Sequence, residues 1–135
     1  AHRGGLVHDI GKITAAEEGG HHDVTGERIL LDKGCPALAR IARSHMLSNI
    51  LDAEHAPKTL EEKIVYLADK LIDNGQLVSV SERLSGLKHR YNTPDDRMDQ
   101  VAVAIDALES ELCKTAGFGR DELLPKLRQM FDAVG

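Results

Sequence analysis

Aromatic residues make up only 3% of this 135-residue sequence and tryptophan is absent. Leu, Ile, Val and Ala must therefore fill the core, and stacking platforms for single-stranded nucleic acid are missing. Cysteine is nearly as scarce: Cys35 and Cys113 lie far apart and fit no CxxC spacing, which argues against a zinc ribbon or a disulfide framework and for a reducing compartment. A basic surplus is also lacking. The 17 Lys and Arg stand against 22 Asp and Glu, a formal net charge of −5, and no block of positive charge offers a footprint for long nucleic acid. No apolar run approaches bilayer-spanning length, and no charged start followed by an apolar stretch and a cleavage site is present. A cytoplasmic protein with no membrane partner is expected.

What remains is a hydrophobic content of 41%, enough at this length for one core, so a single domain over residues 1–135 is expected. The chain begins at Ala1 rather than methionine and enters a helical pattern at once; a preceding segment is expected. Leu6, Val7, Ile10 and Ile13 recur at helical spacing before the Gly19-Gly20 break, predicting a first helix through much of the opening segment. Asp23 or Thr25 is placed to cap a second helix carrying Ile29, Leu30 and Leu31, which Gly34 ends in the left-handed conformation that glycine tolerates best. Pro36 opens a third, on which Leu38, Ile41 and His45 fall at i, i+3 and i+7, so a histidine shares the apolar face.

Thr59 and Glu62 have capping-box spacing. The helix they start carries Leu60, Ile64, Leu67 and Leu71 on one face, widened by Val65, Ala68 and Ile72, with Asp69 at the edge of the stripe. From Leu77 to Leu87 the pattern reads as helix, with Val78 and Val80 also permitting a short strand. Thr93-Pro94-Asp95-Asp96 starts a helix bearing Met98, Val101, Ile105, Leu108 and Leu112, and a last helix with Leu123, Leu124, Leu127 and Phe131 follows Gly119. These two stripes suit a core or a dimer, which leaves the oligomeric state open. Few segments alternate at period two, so an all-α architecture is expected.

Four features combine into a ligand set: His8-Asp9 beside apolar residues, His22 in a glycine-flanked turn, His45 on an apolar helix face and Asp69 at the rim of another. Imidazole and carboxylate together suit Mn, Fe, Co, Ni, Zn or, with more oxygen, Mg. The absence of thiolate favours catalysis over a structural zinc. Each residue alone has a plainer reading: a half-buried His8, a polar loop at His21-His22, a gap-filling His45, or an Asp69 paired with Lys63, Lys70 or Arg40. Jointly those readings weaken, because a small domain would be placing several poorly hydrophobic groups in helix interiors without a common purpose.

Leu6-Val7-His8-Asp9-Ile10-Gly11-Lys12 resembles the signature of the HD superfamily of metal-dependent phosphohydrolases, in the subgroup named for its His-Asp-Ile-Gly run. His22, Gly26, Ile29 and Leu30 fit its sequel, and Leu60 to Leu71 looks like the segment supplying the last metal-binding aspartate, most similar to HD domains joined to a molybdenum-cofactor-type nucleotidyltransferase. The resemblance covers roughly Gly4 to Leu71. It implies a compact helical bundle lacking its first helix, with a metal-site core at 1–75 and C-terminal helices at 76–135. It also implies one or two divalent metal ions per chain, the first held by His8, Asp9 and Asp69 with a further histidine from an upstream helix, the second by His22 and His45. Asp9 is then the bridging ligand. Many two-metal members carry adjacent histidines where this chain has Ser44-His45.

The expected activity is hydrolysis of a nucleotide or related small phosphate ester by metal-activated water. Lys12 lies four residues past His8, on the same helix face, and is placed to contact a substrate phosphate; Arg40 and Arg43, flanking the His45 helix, are candidates for the same task. The rival expectation is a non-catalytic domain that binds metal or nucleotide to regulate an attached domain or partner.

Overall fold

Helical periodicity governs nearly the whole chain. In the computed structural model, which describes residues 1–134, it resolves into α1 (His2–Val7), α2 (Lys12–Glu18), α3 (His22–Asp32), α4 (Pro36–Ser44), a 3-10 turn (Leu47–Leu51), α5 (Leu60–Lys70), a hairpin of β1 (Ile72–Asp73) and β2 (Gln76–Leu77), α6 (Val80–Tyr91), α7 (Asp95–Ala116) and α8 (Arg120–Val134). The all-α expectation holds, with one two-residue ladder added. Contacts divide the chain into two units, Ala1–Asp69 and the residues from 70 on.

In the first unit α3 and α4 form the centre. Gly34, at φ +71°, closes α3 as expected: its N–H donates to Leu31 O (2.9 Å) and that of Cys35 to Leu30 O (2.9 Å), which uses carbonyls the helix end leaves unpaired. Pro36 then starts α4 where its missing N–H has no helical partner to lose. Leu30, Ala39 and Ala42 make the core between the two helices, with Val7, Cys35 and Leu38 packed against it. The small alanines let the backbones approach, and buried Gly4 does the same for α1, where a Cβ would fall 2.6 Å from Ile41 Cδ1.

Three expectations need correction here. The opening helix is two helices, broken at residues 8–11, and Leu6 and Ile13 are each 75% exposed rather than on a buried stripe. The break has a cause: a Cβ at Gly11 would overlap the carbonyl oxygen of His22 and the amide nitrogen of Gly26. The chain must leave the helical path to press backbone against α3, which periodicity cannot anticipate. Second, neither Asp23 nor Thr25 caps α3; His21 stands at the N-cap, Thr25 Oγ1 donates to His21 O (3.2 Å), and Asp23 is buried in the first turn. Third, α5 is rotated. Thr59 Oγ1 accepts the Glu62 N–H (3.2 Å), but the Glu62 carboxylate takes the Lys58 N–H (2.8 Å). Val65, Tyr66 and Leu67 are buried while Leu60 and Ile64 are exposed. Tyr66, the largest fully buried side chain, sets this rotation by burying its ring with its hydroxyl donating to Leu47 O at 2.7 Å.

In the second unit the hairpin pairs Ile72 with Leu77 and Asp73 with Gln76. Its turn residues Asn74 and Gly75 both have positive φ, 49° and 77°, the Asn-Gly combination that tight hairpins demand. The helix after it begins later than the sequence pattern implies, at Val80, under a complete capping box between Ser79 and Glu82. Helix α7 buries Met98, Val101, Ile105 and Leu108 as expected, and α8 packs on α7 through a face that includes buried Leu123. No helix among the described residues is long and apolar enough to cross a membrane.

Two glycine substitutions test the account of the break. Gly11→Ala is expected to lower stability by about 2 kcal/mol or more, because the clash is with backbone on both sides. Gly5→Ala, which meets nothing within 4 Å inside α1, is expected to be neutral or to gain up to about 1 kcal/mol. Urea unfolding of both variants checks this; equal effects would refute the close approach as the cause.

Candidate metal centre

The helix ends of the first unit place its histidines. His8 is the C-cap residue of α1 and its Nδ1 donates to Gly5 O at 2.7 Å. His45 is the C-cap residue of α4 and its Nδ1 donates to Ala42 O at 2.6 Å. A carbonyl only accepts, so Nδ1 of each ring carries a proton and Nε2 faces inward, where either a second proton or a metal ion can sit. Backbone thus fixes both the tautomer and the direction of two side chains. His22 enters from the first residue of α3, Asp69 from the last turn of α5, and Asp9 from the broken segment that Gly11 pulls toward α3.

These groups converge on Asp9. His8 Nε2 lies 3.4 Å from Asp9 Oδ2 and 3.4 Å from Asp69 Oδ1. On the other oxygen, His22 Nε2 and His45 Nε2 stand 3.4 and 3.3 Å from Asp9 Oδ1, and the two nitrogens are 3.0 Å apart. His8, Asp9 and His45 offer ligand atoms all within 4.8 Å of one another. His45 is the floor, with a side chain 3% exposed, whereas Asp9 is 34% exposed. Lys12 Nζ donates to Asp9 Oδ2 at 2.6 Å from a side chain 59% exposed.

Burial alone would push Asp9 up, but hydrogen bonds from His22, His45 and Lys12 outweigh it and hold the carboxyl well below the usual carboxylate range. The bond to Asp69 raises His8 above the ordinary imidazole value against the opposing effect of burial, with the Gly5 carbonyl and the Asp9 charge adding to the rise. The cluster therefore attracts positive charge, supplied either by protons or by a cation. His8, Asp9 and His45, two of the rings locked by backbone carbonyls, with His22 beside Asp9 and Asp69 beside His8, fit a divalent metal ion.

All five sequence-predicted ligands, His8, Asp9, His22, His45 and Asp69, come together, and Lys12 joins them. Arg40 and Arg43 are engaged elsewhere. Arg40 donates to the carbonyls of Glu54 (3.4 Å) and Ala56 (3.5 Å) and pairs with buried Glu62 (3.5 Å). Arg43 pairs through Nη1 with Asp23 and through Nε with Glu27 at 3.5 Å. Sequence reading missed Asp23 as anything but a helix cap. The available signal was Asp23 and Glu27, two acids one turn apart on a helix that had to pack against the helix bearing Arg43.

The HD domain family matches residues 1–73. An uncharacterized protein of Methanocaldococcus jannaschii is 31% identical over 120 residues, 81% of this chain and 70% of that protein. A tRNA (cytidine(56)-2'-O)-methyltransferase of Picrophilus torridus is 27% identical over 135 residues, 92% of this chain but only 37% of that protein. No solved structure matches significantly.

Protein isolated without chelator is expected to carry about one or two divalent ions per chain, lost in Asp9→Ala and in Asp69→Ala; elemental analysis reads this directly. Because metal requires the unprotonated His8 Nε2 and that ring's pKa is raised, affinity should fall at least about tenfold per pH unit below it. Asp9 stays ionised throughout and adds no slope. Affinity unchanged between pH 8 and pH 5.5 would exclude His8 as a ligand.

Proposed function

The chain belongs to the HD domain family, and from that premise we propose that it hydrolyses a nucleotide or related small phosphate ester with a divalent metal ion. The reading is carried by one observation: the Nε2 atoms of His8, His22 and His45 all face the Asp9 carboxylate, with two of the rings fixed by Gly5 and Ala42 carbonyls. His8, Asp9 and Asp69 would hold such an ion, and His22 and His45 a second; the chemistry supplied would be Lewis acidity, which lowers the pKa of bound water and draws charge from a phosphoryl oxygen.

The chain's own groups do the rest. Asp9 holds its negative charge at neutral pH because its imidazole and ammonium donors favour the ionised form. Lys12, bonded to Asp9 through a largely exposed side chain, is placed to exchange Asp9 for an incoming phosphate, binding it as a point charge. His45, at the buried floor, keeps solvent from that side of Asp9. The substrate is a small phosphorylated compound rather than long nucleic acid, in keeping with the net charge of −5.

A regulatory reading also has support. This chain spans 37% of the Picrophilus torridus relative, whose name describes methyl transfer, so the matched portion there accompanies another activity. A non-catalytic domain of that kind binds nucleotide without turning it over.

Hydrolysis of a panel of nucleoside monophosphates, read as free phosphate, and of cyclic nucleotides, read as the nucleoside monophosphate formed, with and without added Mn²⁺, decides between them. Hydrolysis should require metal and vanish in Asp9→Asn, while Lys12→Ala should raise KM about 10- to 100-fold with a smaller change in kcat. Nucleotide binding without hydrolysis in metal-loaded protein would favour the regulatory domain.

A further inference from the structure

His22 and Asp23 are consecutive at the start of α3, and Arg43 and His45 lie two residues apart at the end of α4. Their partners interlock. Arg43 Nη1 donates to Asp23 Oδ2, and Asn49 Nδ2, from the 3-10 turn just beyond His45, donates both to that same oxygen (3.2 Å) and to Arg43 O (2.7 Å). Glu27, one turn along α3, takes the Arg43 Nε at 3.5 Å. The Asp23 side chain is only 4% exposed and its Oδ1 is buried with no hydrogen-bond partner, so the carboxylate is held entirely through Oδ2.

We infer that Asp23 and Arg43 are positioning residues: their ion pair fixes the separation of His22 and His45 and thereby the affinity of the centre for metal. The argument is geometric. Each member of the pair is within two residues of one of the histidines, and the histidines' Nε2 atoms stand 3.0 Å apart. Metal–ligand distances tolerate deviations of only about 0.2 Å. The α3–α4 core beneath them is built of Leu30 and small alanines, which sets helix approach but does not prevent the helix ends from sliding or splaying. A buried ion pair does, because either charge left alone in the interior is strongly unfavourable. It has a fixed register, whereas apolar contact has none. This role rests on the metal reading of the site but not on hydrolysis.

The test titrates Co²⁺ into chelator-stripped full chain, following its visible absorption, and measures urea unfolding in parallel. Asp23→Asn and Arg43→Gln should each weaken Co²⁺ binding about 10- to 100-fold and alter the absorption band. The double variant, with a neutral amide pair in place of two charges, should recover part of the affinity, and it remains informative if a single variant fails to fold. Leu30→Val, which loosens the same helix pair without touching the network, should lose stability but keep Co²⁺ affinity. Wild-type Co²⁺ affinity in a folded Asp23→Asn or Arg43→Gln protein would overturn the inference, as would equal weakening in Leu30→Val. Failure of wild type to bind Co²⁺ would sink it together with the metal reading; normal Co²⁺ behaviour without hydrolysis of any phosphate ester would sink hydrolysis alone.

Discussion

Donors and cations around a half-buried carboxylate offset the desolvation that would raise its pKa, and Asp9 is surrounded on both oxygens. His22 and His45 face Oδ1, while His8 and Lys12 face Oδ2. Much of the first unit is arranged so that this can happen. Two of the three rings spend one nitrogen on a backbone carbonyl of their own helix end, so the remaining nitrogen points inward without further choice. Helix C-termini are well suited to this, because their last carbonyls have no helical partner.

That arrangement needs the segment after α1 to lie against α3. Gly11 permits it by removing the Cβ that would strike His22 and Gly26 backbone. The cost is the interruption of a helix whose sequence would otherwise continue, and the exposure of Leu6 and Ile13. Asp23, Arg43 and Asn49 secure the other side, joining α3 to the end of α4 and the turn beyond it. The site is thus held by backbone carbonyls, a glycine contact and one buried ion pair, with apolar packing beneath.

The second unit is built on more local rules. An Asn-Gly hairpin, a capping box at Ser79 and Glu82, and a long amphipathic α7 each follow from neighbouring residues. It holds none of the five candidate ligands, and the HD domain match ends at residue 73.

By itself the sequence determined the helical class, the ends of α3 and α4 at Gly34 and Pro36, the α7 stripe and the types and spacing of the candidate ligands. All of these depend on contacts within a few residues or on side-chain chemistry alone. The Asn74-Gly75 turn was equally available from local rules. Tertiary structure alone decided the break at 8–11, the rotation of α5 toward Tyr66, and the commitment of Arg40 and Arg43 to ion pairs instead of an open surface. Each of these turns on a meeting between residues far apart in the chain. Backbone against backbone at Gly11 and charge against charge at Asp23 are selected by the three-dimensional approach of helices, and helical periodicity records only which face is apolar, not what that face or its rim will meet.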